Sequence, residues 1–177
     1  MSPFRTALIA LIALIGLLLS PLIAAQEPVE EPVYVYQRIH VLVAHHDNRM
    51  SLRVWADGTV EMRFPPYTSQ AGQYRWAASA EELAELDAFF AAAGRHDSGV
   101  LERARGARGE DELVLVADAD LVRFELRGAG RAPQTLMIEA PDAWSRALPE
   151  SAELAALAQT EGALLDWMRT RAARVGR

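Results

Sequence analysis

The 177-residue chain contains no cysteine and no lysine. The first absence excludes disulfides, thiol catalysis, zinc–thiolate sites and the lipid-attachment motif of bacterial lipoproteins, each of which needs a cysteine. The second makes all 18 basic residues arginine, and so rules out Schiff-base lysines and the lysine of a P-loop. Positive charge is also in deficit, because 24 acids leave the chain at a net −6. Nucleic-acid binding in general relies on phosphate neutralisation, and this balance argues against it. No G-x-S-x-G nucleophile elbow and no EF-hand spacing is present. No motif calls for a cofactor.

The apolar residues that are present begin with one long run at the N-terminus. Met1 to Arg5 supplies a short, singly charged lead, Thr6 to Leu19 is almost purely apolar, and Ser20-Pro21-Leu22-Ile23-Ala24-Ala25 ends in small residues. This pattern predicts a secretory signal peptide over residues 1–25, with cleavage after Ala25. An uncleaved inner-membrane anchor is the alternative, since Ala7 to Ala25 is close to the roughly 17-residue minimum for a span. Pro21 and the small residues beyond it favour cleavage, and with it a periplasmic or secreted protein. Residues 26–32, QEPVEEP, read as an acidic, proline-punctuated spacer. Residues 33–173 then form a single domain, long enough to bury a core without disulfides.

Alternation starts at once. Val33, Val35, Ile39, Val41 and Val43 recur at every second position, interrupted by Gln37, with Tyr34, Tyr36, Arg38 and His40 between them. Met50, Leu52 and Val54 repeat the period, as do Val60, Met62 and Phe64, so three strands form a meander. Opposed residues share a face, which tests register. A two-residue Asp57-Gly58 turn would set the apolar sets of the second and third strands on opposite faces. A three-residue loop, Ala56-Asp57-Gly58, instead pairs Val54 with Val60 and Leu52 with Met62, and puts Gly58 in the left-handed position of a G1 bulge. The same logic in the first hairpin opposes Ile39 to Val54, Val41 to Leu52 and Val43 to Met50. It predicts one buried face and a four-residue tip, His45-His46-Asp47-Asn48.

Pro65-Pro66 ends this meander, and Gln73 to Ala77 is a candidate fourth strand. Ser79-Ala80-Glu81-Glu82 is a capping box opening a helix with Leu83, Leu86, Phe89 and Phe90 on one face and Gly94 as its stop. His96 to Asp111 reads as loop. Three further strands follow, at Glu112 to Ala117, Leu121 to Arg127 and Gln134 to Ala140, then a short helix from Asp142 to Leu148. Ser151 caps a long helix, Ala152 to about Arg171, with Leu154, Leu157, Leu164, Leu165 and Met168 as its stripe. The predicted class is α+β: an antiparallel sheet from two β-meanders, βββ(β)α then βββα, with helices packed on one face.

Several clusters invite chemistry. His45, His46 and Asp47 are the metal candidates, but His40 stands about 16–20 Å away along an extended strand. Adjacent histidines generally point apart, and a solvated turn held by Asp47 and Asn48 accounts for the same residues. His96-Asp97-Ser98 has the spelling of a triad without its separation in sequence. Arg103, Arg105 and Arg108 read as a solvated basic loop, with docking of an anionic partner as the alternative. Asp118, Asp120, Glu110 and Asp111 suit hairpin tips, with calcium binding as the alternative. The predicted register groups Tyr36, Arg38, His40, Arg53, Trp55 and Glu61 on one open face, with Arg38 across from Trp55 and His40 across from Arg53. Aromatics beside arginines there suit stacking and cation–π recognition, although cross-strand stabilisation explains them equally.

Asp57-Gly58-x-Val60 between strands, the capped helix after a short loop, the Asp-headed strand pair and the leucine-spaced terminal helix resemble an uncharacterised family of exported bacterial α+β domains. The resemblance implies an α+β fold and a place in the cell envelope, and it transfers no catalytic residue. With no convergent acid, base and nucleophile in the sequence, the reading is a non-catalytic binding or interaction module with an envelope protein or glycan as partner. The alternatives are a periplasmic hydrolase using polar loop residues, or a membrane-tethered accessory subunit. Intact-mass analysis of the exported protein should give a chain that begins at Gln26. A mass that retains residues 1–25 would establish the anchored form instead.

Overall fold

A computed structural model describes residues 30–42, 48–108, 116, 119–128 and 132–175. Six strands and four helices lie in these residues: β1 (Tyr34–Ile39), β2 (Arg49–Val54), β3 (Thr59–Phe64), β4 (Gly72–Ala77), α1 (Ala80–Ala93), α2 (Val100–Arg108), β5 (Leu121–Leu126), β6 (Gln134–Glu139), α3 (Pro141–Ala147) and α4 (Ala152–Val175). All strand pairs are antiparallel, in the order β4-β3-β2-β1-β5-β6, so β1 runs through the middle. The helices bury their apolar faces on one side of this sheet, which is the α+β class that the alternation predicts. Of the predicted strand Glu112–Ala117 only Val116 is described, and the tip residues His45, His46 and Asp47 lie outside the described residues.

The second hairpin has the predicted register, Val54 opposite Val60 and Leu52 opposite Met62. Gly58 closes it at φ 82°, where a side chain would be strained, and its N–H donates to the Trp55 carbonyl at 3.0 Å. The first hairpin differs. Val54 opposes Tyr34 rather than Ile39, Leu52 opposes Tyr36, and Met50 opposes Arg38. This is a slip of five residues, and an odd slip turns every side chain of β1 to the other face.

The physical reason lies in the two sets that β1 carries. Valine suits either face of a strand, whereas an aromatic ring buries far more apolar area against a helix layer. Tyr34 stacks on Phe90 of α1 with ring centroids 4.5 Å apart, and Tyr36, fully buried, packs on Phe124 of β5 at 5.1 Å. The tyrosines therefore face the core, and Val35 between them lies on the other face, outside the core cluster. The hairpin ladder ends at Ile39–Arg49, with His40 N–H donating to the Asn48 carbonyl at 2.9 Å, so the turn is longer than four residues.

The α1 helix starts with the predicted capping box: Ser79 Oγ accepts from Glu82 N–H at 3.2 Å, and Glu82 Oε2 from Ser79 N–H at 2.8 Å. Gly94 ends it for a different reason than left-handed geometry, because its φ is −67°. A Cβ there would stand 2.8 Å from Leu126 Cδ2, so the glycine lets the helix end pass β5 closely. Residues 100–108, expected as loop, are helical. Val100, Leu101 and Ala104 supply a buried edge that a reading for glycines and arginines overlooks.

At Gly58 an added Cβ would meet only Leu83 Cδ1, at an ordinary 3.5 Å. The Gly58→Ala cost is therefore that of the left-handed backbone, about 1 kcal/mol. It should appear as a lower urea midpoint with an unchanged m-value.

Candidate functional site

Helix α4 lies across the helix side of the sheet and packs on α1, α2 and α3. Its buried stripe reads Leu154, Leu157, Glu161, Leu164, Leu165, Met168 and Ala172. Glu161 occupies a core position on the helical period, one turn after Leu157 and one before Leu165. The rotation of the helix is held further along by Trp167, whose Nε1–H donates to Glu85 Oε2 at 2.6 Å, and by Arg171, 3.0 Å from Glu82. Those contacts to α1 leave Glu161 aimed at the central strand.

There Glu161, 1% exposed, meets two donors. Tyr36 Oη–H donates to its Oε1 at 2.9 Å and Arg38 Nη1–H to the same oxygen at 3.1 Å. Arg38 also donates from Nε to Asp120 Oδ2 at 2.6 Å, and the other oxygen of Asp120 lies 2.7 Å from His40 Nδ1. One chain of polar contacts thus runs from the core outwards, Tyr36–Glu161–Arg38–Asp120–His40. Asp120 is anchored in turn, since its backbone carbonyl accepts from Ala140 N–H at 2.7 Å. Ala140 has φ 32°, a strained value for alanine, and leads into Pro141 and Asp142 at the start of α3.

Charge behaves accordingly. Burial raises the Glu161 carboxyl above its usual range, and the charges of Asp142 and Asp120 add to this, against the opposing pull of Arg38 and Tyr36. Burial likewise pushes the Tyr36 phenol well up, and the charge of Glu161 reinforces it. Desolvation works against the Arg38 cation, but Glu161 and Asp120 outweigh it, so Arg38 stays charged. Burial and the charge of Asp120 raise the Tyr67 phenol.

A cavity of about 480 Å³ opens over this chain of contacts. Its lining combines the polar side chains of Arg38, His40, Asp120, Asp142, Glu161 and Arg169 with the apolar ones of Met50, Pro65 and Leu165. Tyr67 stands at one side, its ring 6.1 Å from that of His40. Gly162 leaves the helix side open, because an added Cβ there would meet nothing within 4 Å. The volume is of the size that holds small molecules.

The structure divides the residues that the sequence grouped as one face. Tyr36, Arg38 and His40 come together at the cavity. Arg53 and Glu61 pair with each other at 3.2 Å on the opposite face of the sheet. Trp55 lies under the Arg75 guanidinium, 5.8 Å from the ring centroid, and not across from Arg38. His96, Asp97 and Ser98 do not converge: His96 faces Glu153 at 3.4 Å, Asp97 holds Arg103, and Ser98 Oγ accepts from Met137 N–H at the β6 edge. Arg103 is spent on Asp97 and Glu153, and Arg105 on the Trp144 ring at 4.1 Å, so both are engaged within the fold. Among the described residues, no group of three or more histidines or acids is arranged to hold a metal ion.

Sequence reasoning left Glu161, Asp142, Tyr67 and Arg169 out of the site and placed Asp120 in a turn. A signal existed for Glu161: an acid in register with a leucine stripe. None existed for the others, whose proximity arises only on folding. The class defined is an α+β domain with a cavity between the central strand and the C-terminal helix. Comparison with protein-family models, curated proteins and solved structures finds no match.

Removing Glu161 would leave the Arg38 charge and the Tyr36 hydroxyl without that partner. Glu161→Ala should lower the unfolding free energy by about 3 kcal/mol, at the low end for a broken buried pair. The low end applies because a quarter of the Arg38 side chain is exposed. The raised pKa means that the folded state binds the Glu161 proton more tightly than the unfolded chain. Relative to Glu161→Gln, wild type should therefore gain stability as pH falls from neutrality towards 4.5, and lose it as pH rises through the elevated value. Urea titrations of both proteins between pH 4.5 and 8 measure the slope.

Proposed function

We propose that this is an exported cell-envelope protein that binds a small molecule in the cavity over Glu161. Export rests on the leader-like residues 1–25. The binding reading rests on one observation above all, a buried ionisable chain of contacts beneath an open cavity. A buried ion pair is a poor stabiliser compared with apolar packing, and a binding site gives a reason to keep one. The lining sets carboxylates and arginines beside apolar side chains, which suits an amphipathic ligand with both polar and apolar parts. A glycan fragment or a small piece of an envelope component has this character. The sheet face with Arg53, Trp55 and Glu61 is separate from that site and is left for protein contacts.

Gly162→Leu tests the reading, because it fills open space without touching the polar contacts. The variant should be more stable than wild type by about 0.5–1 kcal/mol, since glycine inside a helix is costly. Thermal-shift measurements with monosaccharides, amino-acid amides, short amines and short-chain esters at millimolar concentration should raise the Tm of wild type with one class. They should not raise that of Gly162→Leu. A panel without effect on wild type, or a shift retained in the variant, would overturn the reading.

A further inference from the structure

We propose that the same cavity is a catalytic site, in which His40 acts as general base for hydrolysis of small uncharged carboxylic esters by direct attack of water. This rests on the reading that the cavity admits a small molecule. Four features of the geometry point to it. His40 Nδ1 is engaged by Asp120 at 2.7 Å, which fixes the ring and its tautomer and leaves Nε2 as the nitrogen without a partner among the described residues. Asp120 is itself held by Arg38 at 2.6 Å, and Arg38 by Glu161, so the orienting carboxylate is locked from behind. The His40 side chain is 36% exposed and lines the cavity rather than the core. The Tyr67 phenol, on the same side and 54% exposed, is raised above its usual range by partial desolvation and the charge of Asp120, and is a donor.

The chemistry of the lining selects the reaction. Among the described residues no serine, threonine or cysteine lines the cavity, so no aliphatic hydroxyl or thiol there can form an acyl-enzyme, and water is the nucleophile. His40 Nε2 takes a proton from water as the water oxygen bonds to the carbonyl carbon. The carbonyl pair moves onto its oxygen, for which Tyr67 is the available donor. On collapse the C–O bond to the alcohol breaks. The leaving oxygen keeps the pair and takes the proton back from Nε2, giving an alcohol and a carboxylic acid. An alcohol oxygen leaves a tetrahedral intermediate more readily than an amine nitrogen, which favours esters over amides. The three carboxylates of Asp120, Asp142 and Glu161 share the lining with two arginines, Arg38 and Arg169, which leaves no surplus of positive charge to attract phosphate esters. Met50, Pro65 and Leu165 form a wall for a short acyl chain.

The fold contains its own control. His96 also faces a carboxylate, Glu153 at 3.4 Å, but away from this cavity. With purified full-length protein and p-nitrophenyl butyrate, wild type should show saturable hydrolysis that His40→Gln reduces at least roughly 100-fold. His96→Gln should retain the wild-type rate. Asp120, a positioning residue, should lower kcat with little change in KM when replaced as Asp120→Asn. Gly162→Leu keeps His40 and Asp120 intact and should abolish saturation, so a folding failure in His40→Gln would not remove the test. Hydrolysis in wild type no faster than in His40→Gln, or lost equally in His96→Gln, overturns the proposal. A stabilising ligand without ester turnover would sink the catalytic step alone and leave binding standing. Turnover unchanged in Gly162→Leu would place the chemistry outside the cavity.

Discussion

A carboxylate at a core position of the C-terminal helix has to be compensated by whatever the sheet presents beneath it, and Glu161 finds Tyr36 and Arg38 on the central strand. A charge so desolvated would otherwise carry a penalty of several kcal/mol. The same requirement acts together with the burial of the Tyr34 and Tyr36 rings in setting which face of β1 turns inwards. Tyr36 and Arg38 must lie on the helix side for Glu161 to be satisfied, and the whole strand follows with period two. The orientation of β1 and the seating of α4 are thus one arrangement.

The cavity follows from that arrangement. Where Arg38 spans Glu161 and Asp120, the helix cannot close on the sheet with leucines alone. Gly162 leaves the adjacent space empty. The polar contacts also link three distant parts of the chain: β1, the residue before β5, and α4. Ala140 adds a fourth, because its strained backbone carries α3 away from β6 while its N–H ties to Asp120. Rigid elements therefore hold the polar groups around the cavity, a requirement for binding or catalysis at fixed geometry.

Much of the fold was legible because it depends on local rules. The second hairpin could be read from Gly58 and the facing Val54 and Val60, the start of α1 from Ser79 and Glu82, and the stripe of α4 from its leucines. Register in the first hairpin was not legible in this way. Val33 to Val43 carries two plausible buried sets, and a long turn gives no fixed pairing. Choosing valines over tyrosines exchanged the faces and grouped Tyr36, Arg38 and His40 with Arg53 and Glu61. The short helix Val100–Arg108 is hidden by its arginines and Gly106. Of the site, the alternation singles out Tyr36, Arg38 and His40 but assigns them to the opposite face of the sheet, and Asp120 has the character of a turn residue.

By itself the sequence determined the exclusion of thiol and lysine chemistry, the antiparallel α+β class, the Gly58 hairpin and the helix caps, because composition and near-neighbour sterics act within a few residues. Tertiary structure alone decided the face of β1 and the meeting of His40, Asp120 and Glu161. Those depend on which burial is compensated when elements some 80 to 120 residues apart are packed together, and a strand with two apolar sets contains no local term that makes the choice.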